Sequence, residues 1–194
     1  MKYLALFGLI LIATLAQFAT DIYLPSLPAI ADFFHVDMNA SQLTIAVYMT
    51  ALTLTQLFWG PFSDVVGRKT ALYAGLSISI IGSIVCVKAS NITLLIVGRF
   101  IQGLGNGAAA GLFRAILRDM YTGRELARIA SYLSNFLVLV LMLAPVIGGF
   151  FQKYYGWQAS FIFLLFWSLL CVVVLKFAVH EPQKITGKDT TTDW

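Results

Sequence analysis

The chain has 194 residues, of which 59% are hydrophobic and only 11% charged, with a formal net charge of +4. A soluble domain carries about a quarter charged residues, so this chain lacks the polar surface to face water all round and must have lipid as its main solvent. The basic balance does not signal nucleic acid either, because Lys and Arg fall in short connecting segments, the pattern of a membrane orientation signal.

Crossing roughly 30 Å of hydrocarbon takes about 20 apolar residues, and the sequence offers six such runs, at residues 3–31, 43–62, 71–88, 92–112, 129–151 and 160–179. Backbone polar groups in lipid must be paired within the segment, so each run is predicted to be a helix. A transmembrane barrel would instead show alternating apolarity in runs of about half this length. The expected class is an all-α membrane protein with six transmembrane helices in one bundle over residues 1–180, followed by a polar cytoplasmic tail at 181–194.

The first run follows Lys2 and could be a signal peptide, but its apolar character continues beyond any cleavage site, and five runs follow. It therefore reads as a first transmembrane helix. It carries Gln17, Asp21 and Tyr23, with Pro25 predicting a break. The second run carries Tyr48 and leads into "GPFSDVVGRKT", residues 60–70, read as a short turn. Gly60 there permits close approach of another helix and Gly67 a tight reversal. Asp64 is an acid beside the bases Arg68 and Lys69, placed to meet an arginine or a helix N-terminus.

Arg99, Gln102 and Asn106 in the fourth run stand at i, i+3 and i+7 and share one helical face. Gly103, Gly107 and Gly111 form a small-residue ridge beside it. The fifth run contains "LAPVIGG", with Pro145 inside the helix and Gly148 and Gly149 a turn later, predicting a bend. Met142, Asn135 and Gln56 join Gln17, Tyr23, Tyr48, Gln102 and Asn106 as candidate cavity-lining residues, since aromatic and Met side chains suit an apolar cavity of broad specificity. Cys86 and Cys171 lie inside apolar runs and read as free thiols, with no metal site. His35 and His180 receive no role, and Pro182 gives the sixth helix a stop.

Ten of the thirteen basic residues (Lys2, Arg68, Lys69, Arg114, Arg118, Arg124, Arg128, Lys176, Lys184 and Lys188) fall on one side, against Lys88 and Lys153 on the other. That asymmetry places both termini in the cytoplasm. A faint internal repeat is also visible. "GPFSDVVG" and "GFFQKYYG" each carry two glycines seven apart, at 60 and 67 and at 149 and 156, between the second and third helices of a triplet. Two triplets so related form a 3+3 inverted repeat, the plan of many transporters.

Gly60, Asp64, Gly67, Arg68 and Lys69 together resemble the helix 2–3 signature of the major facilitator superfamily. "RFIQGLGNG" (residues 99–107) resembles the fourth-helix motif of its proton-coupled members, and "APVIGG" (144–149) the fifth-helix motif of its drug:proton antiporters. "DIYLPSLP" (21–28) and "LRDMY" (117–121) are similar to the bicyclomycin-resistance (Bcr/CflA) type. The chain departs from the antiporter motif at Val140 and Ala144, where the pattern has glycine. It also stops after six helices, where the family has twelve in two bundles.

The resemblance implies half of a major facilitator fold, and a non-enzymatic, proton-coupled efflux carrier for small drug-like compounds. It implies alternating access, no cofactor beyond the proton gradient, and multi-pass residence in a bacterial inner membrane. Asp21 and Arg99 are the charges within the apolar runs, and on insertion scales each costs roughly 2.5–3.5 kcal/mol at mid-bilayer. They either pair and lock the first helix against the fourth, or form the proton-coupling site to which the resemblance assigns them. In the latter, burial disfavours a charged carboxyl while a guanidinium favours it, so the acid can exchange a proton. Arg68 is expected to pair with Asp119 in a cytoplasmic gate motif with Gly60, Asp64, Gly67 and Lys69. A lone half has one wall of a cavity, so a second six-helix half, another copy or a separate chain, is the expected partner beside lipid, protons and substrate. A truncated or non-transporting bundle acting as an interaction partner, and an uptake carrier of the same fold, stay open.

Overall fold

The structure, a computed structural model, describes residues 2–178. The end of the sixth predicted span at 179, His180, Pro182 and the expected tail at 181–194 with Lys184 and Lys188 lie outside the described residues.

Seven α-helices make six candidate membrane crossings, and no strand occurs among the described residues. The first crossing, Leu6–Phe34, is composite. Helix α1 (Lys2–Asp21) ends at the candidate coupling residue, a 3-10 turn spans Leu24–Ser26, and α2 (Leu27–Phe34) resumes the crossing. The interruption lies at the Pro25 that predicts it: proline lacks the N–H an α-helix needs and disfavours helical geometry in the residue before it. Pro28 stands in the first turn of α2, where no intrahelical N–H is required.

The remaining helices are α3 (Met38–Val66), α4 (Arg68–Val87), α5 (Ile92–Met120), α6 (Gly123–Tyr155) and α7 (Gln158–Ala178). Several run well beyond the predicted spans, because hydropathy tracks the edge of the hydrocarbon whereas backbone hydrogen bonding ends a helix. The expected turn over 60–70 is the clearest correction. Helix α3 continues through Pro61 to Val66, and the reversal into α4 is confined to Gly67, at φ 97°, whose N–H donates to the Ser63 carbonyl at 3.0 Å.

Gly156, φ 82°, makes the corresponding junction between α6 and α7. His35 ends α2 in the left-handed region at φ 53°, a conformation costing a side-chain-bearing residue roughly 1–2 kcal/mol. Its N–H donates to Asp32 and that of Val36 to Ala31, a Schellman closure that satisfies two otherwise open carbonyls. Asn91 caps α5 by accepting from the Leu94 N–H at 2.8 Å.

Helix α5 is the centre of the bundle, packed along both α3 and α4 and against α1, while α7 packs on α4 and α1. Lipid supplies no hydrophobic drive between helices, so small residues and close backbone approach must hold them together. Gly105 of α5 lies against the Gly75 carbonyl and the Ser79 backbone of α4. Gly103 and Gly107 lie on the backbone of α3 at Tyr48 and Leu52, with Gly111 facing Gln56. The predicted glycine ridge is thus the α5 surface that receives α3. On α6, Gly148 lies against the Ile22 carbonyl just after α1 ends, and Gly149 beside Pro25. The two glycines after Pro145 therefore seat α6 on the interruption of the first crossing. Cys86 and Cys171 are buried free thiols.

Candidate functional site

Arg99 is wholly buried, at 0% exposure, in the middle of the bundle. Its guanidinium carbon lies 4.3 Å from the ring centroid of Tyr23 and 3.9 Å from that of Tyr48, with Phe161 at 5.9 Å. An aromatic cage of this kind attracts the cation through the ring quadrupoles, by about 2 kcal/mol when desolvated. Among the described residues only one guanidinium nitrogen is hydrogen-bonded: Nη1 donates to Gln102 Oε1, while Nε and Nη2 have no partner there.

A chain of hydrogen bonds leads away from the cage. Gln102 Nε2 donates to Ser83 Oγ at 2.8 Å, and Ser83 in turn donates to the Ser79 carbonyl. Ser79 Oγ donates to Asn106 Oδ1 at 2.7 Å, and Asn106 Nδ2 donates to the Tyr48 hydroxyl at 3.2 Å. Tyr48 donates to the Ala16 carbonyl of α1 at 3.3 Å. The Tyr23 hydroxyl lies 3.0 Å from Thr44 Oγ1. The shared face of Arg99, Gln102 and Asn106 is therefore the seam where α1, α3, α4 and α5 meet. A charge with so many oriented dipoles around it is held in one geometry.

Asp21, 7% exposed, closes α1 and accepts a hydrogen bond from Gln17 Nε2 one turn earlier. It forms no ion pair with Arg99. The expected lock of the first crossing to α5 through these charges is thus not what joins them. Rings and hydroxyls do that instead: Tyr23 follows Asp21 by two residues and its ring stacks on Arg99. Met142, by contrast, is 67% exposed on α6, outside this network, and Asn135 on the same helix is also exposed. Gln56 packs beside Gly111, outside the same network.

At the end of the bundle where α3 turns into α4, Arg68 bridges two helices. Its Nη1 lies 2.7 Å from Asp64 Oδ1, and its Nε donates to Asp119 Oδ2 of α5 at 3.0 Å. The structure thus brings Arg68 and Asp119 together as their sequence positions predict. Lys69, half-buried, joins neither ion pair, and Gly60 has open space where a Cβ would point. Arg68 also donates to Ser63 Oγ, a partner the sequence did not single out. Ser79, Ser83 and Thr44 were missed likewise, although two serines one turn apart in an apolar run were the available signal. Because the carboxylates are partly exposed, each Arg68 pair contributes modestly. Asp119→Ala is expected to destabilise the bundle by about 1 kcal/mol or less, checked by thermal unfolding in detergent.

The Major Facilitator Superfamily model matches residues 9–193. The chain belongs to that superfamily. Among curated relatives, it is 34% identical over 176 residues to "Multidrug resistance protein D" of Escherichia coli (strain K12), covering 90% of this chain and 44% of the relative. It is 30% identical over 174 residues to the "Bicyclomycin resistance protein homolog" of Haemophilus influenzae, with the same coverage of 90% and 44%. To "Multidrug resistance protein MdtL" of Citrobacter koseri it is 34% identical over 175 residues, covering 88% of this chain and 44% of the relative. The chain thus spans less than half the length of these relatives. The six candidate crossings fit a multi-pass membrane protein of this superfamily, whose members are membrane transporters rather than enzymes.

Proposed function

We propose that this chain is one six-helix half of a proton-coupled exporter of small drug-like compounds, working by alternating access with a second six-helix bundle in the bacterial inner membrane. The observation that carries the reading is the Arg99 cage: a fully buried cation with two nitrogens unpartnered among the described residues, one of whose rings, Tyr23, follows the buried and unpaired carboxyl of Asp21 by two residues. Removing an ion from water costs several kcal/mol even after relaxation. Packing alone gives no reason to keep two charges apart at that cost. A proton carrier does, because its acid must gain and lose a charge while a fixed cation tunes the exchange. In this reading Asp21 carries the proton, Arg99 tunes it, and the protonmotive gradient is the only energy source.

The substrate class and outward direction are supported by relatives named for multidrug and bicyclomycin resistance. A second bundle is supported by the apolar faces that α3 and α6 leave exposed, with Leu57 and Phe58 on one and Leu139, Met142 and Val146 on the other. Substrate would then lie between the bundles, with Met142 and the exposed face of α6 lining it, and the Arg68 cluster would gate the cytoplasmic side. The matching positive-φ glycines at 67 and 156 support a 3+3 repeat of the first three crossings in the last three. The test of the whole reading is drug efflux from proteoliposomes holding the complete transporter under an imposed pH gradient. Export indifferent to the gradient would overturn proton coupling, and no movement of any amphipathic drug would overturn the substrate class.

The orientation has its own check. With both termini cytoplasmic, Asn91→Cys and Lys153→Cys are expected to react with membrane-impermeant thiol reagents from outside intact cells. The native Cys86 and Cys171 are buried and should stay silent. Labelling of an Arg68→Cys variant from outside would reverse the assignment.

A further inference from the structure

Helices α5 and α6 are neighbours in sequence but barely touch, and between the end of one and the start of the other lies an open cleft of about 400 Å³. Its α5 wall carries Phe113, Arg114, Leu117 and Arg118, and its α6 wall includes Ala130 and Leu133. We propose that this cleft binds an anionic phospholipid, with an acyl chain along the apolar floor and the headgroup phosphate held by Arg114 and Arg118.

Charge is the first argument. Arg114 and Arg118 stand one helical turn apart, both are exposed, and neither belongs to an ion pair among the described residues. Asp119, the acid beside them in sequence, is occupied by Arg68. Arg114 is held in place by one bond from Nη1 to the Ala110 carbonyl at 3.3 Å and by the Phe113 ring, 4.9 Å from its guanidinium carbon. Its other donors have no protein partner among the described residues. Like charges at i and i+4 repel, and a phosphate between them converts that repulsion into charge-assisted hydrogen bonds.

Depth is the second. Helix α5 has 29 residues, or roughly 44 Å at 1.5 Å per residue, against about 30 Å of hydrocarbon. Arg118 and Arg114 lie two and six residues before its last residue, Met120, so roughly 3 and 9 Å from that end, where a headgroup meets the acyl region. From there the cleft runs inward over Leu133 and Leu137, away from charge, as an acyl chain does. Nothing in this assignment depends on drug export or on which side is cytoplasmic.

The test uses the full chain in nanodiscs of phosphatidylcholine with a minority of phosphatidylglycerol, and native mass spectrometry of the lipid retained on release. Phosphatidylglycerol should be retained in preference to phosphatidylcholine, and Arg114→Gln with Arg118→Gln should lower that preference roughly 30-fold, at about fivefold per arginine. Arg124→Gln with Arg128→Gln removes equal charge from the start of α6 outside the cleft walls and should leave the preference intact. Ala130→Phe keeps every charge but fills the cleft, and should reduce retention of the diacyl lipid. Equal losses in the two arginine pairs would show diffuse surface attraction and overturn the site. Unchanged retention in Ala130→Phe would overturn the acyl groove. Displacement of the lipid by soluble glycerophosphate at equal concentration would show a phosphate site only, and displacement by an amphipathic organic anion at equal concentration would assign the cleft to substrate instead.

Discussion

Replacing Asp21 with Asn is expected to abolish uphill drug export by the complete transporter while leaving the bundle folded. Asn is nearly isosteric with Asp, and its side-chain oxygen can still accept the hydrogen bond that Gln17 donates to Asp21. Asp21 makes no ion pair with Arg99, so neutralising it strands no partner. Breaking a buried pair would instead cost about 3–5 kcal/mol. A melting temperature close to that of the unmodified chain therefore separates the observed geometry from the locking one. Function should separate as well: without a titratable group the cycle cannot link drug to proton, though downhill exchange of drug can persist. Asp21→Glu should keep part of the export, because the carboxyl survives at slightly longer reach. The decisive assay is efflux from proteoliposomes under an imposed pH gradient. Full gradient-driven export by Asp21→Asn would leave Asp21 a structural charge only.

Much of this arrangement was legible in the sequence because membrane chains obey few rules. Six apolar runs and Pro25 were enough to place six candidate crossings and the broken first one. The face shared by Arg99, Gln102 and Asn106 was legible too, since helical periodicity fixes it once the helix is assigned. What lay beyond reach was which partner that face meets. Periodicity says that Arg99 points inward, but the rings around it come from Tyr23, Tyr48 and Phe161 on three other crossings. Pairing Asp21 with Arg99 was the natural guess from charge alone. It failed because aromatic faces can hold a cation without neutralising it. The turn at 60–70 misled for a related reason. Gly, Pro and Asp crowd that stretch, yet one residue with positive φ, Gly67, suffices for the reversal, and the helix runs up to it.

The glycines supply the other large effect, and its sign depends on position. In an exposed helix, Gly→Ala gains about 1 kcal/mol of propensity. At Gly105 the same change should destabilise, because a Cβ there collides with the Gly75 carbonyl oxygen and the Ser79 backbone nitrogen. Neither neighbour is a side chain that can swing away, so α4 and α5 must separate along their whole crossing. Gly105→Leu is expected to cost at least about 3 kcal/mol, the upper end of overpacking penalties, and to appear as a large loss of thermal stability in detergent. Gly60→Leu should behave in the opposite way in this chain. Among the described residues nothing lies within 4 Å of its Cβ position, and the propensity gain is offset by Pro61, which disfavours a Cβ-bearing helical residue before it. Its stability should therefore change little. In the complete transporter, however, Gly60→Leu should cut export sharply if a second bundle packs against α3 there, because the leucine would hold the two apart. An unchanged melt for Gly105→Leu would mean that α4 and α5 cross more loosely than described. Undiminished export by Gly60→Leu would mean that no helix of a second bundle comes close at that point, and the gate would have to be built from the Arg68 cluster alone.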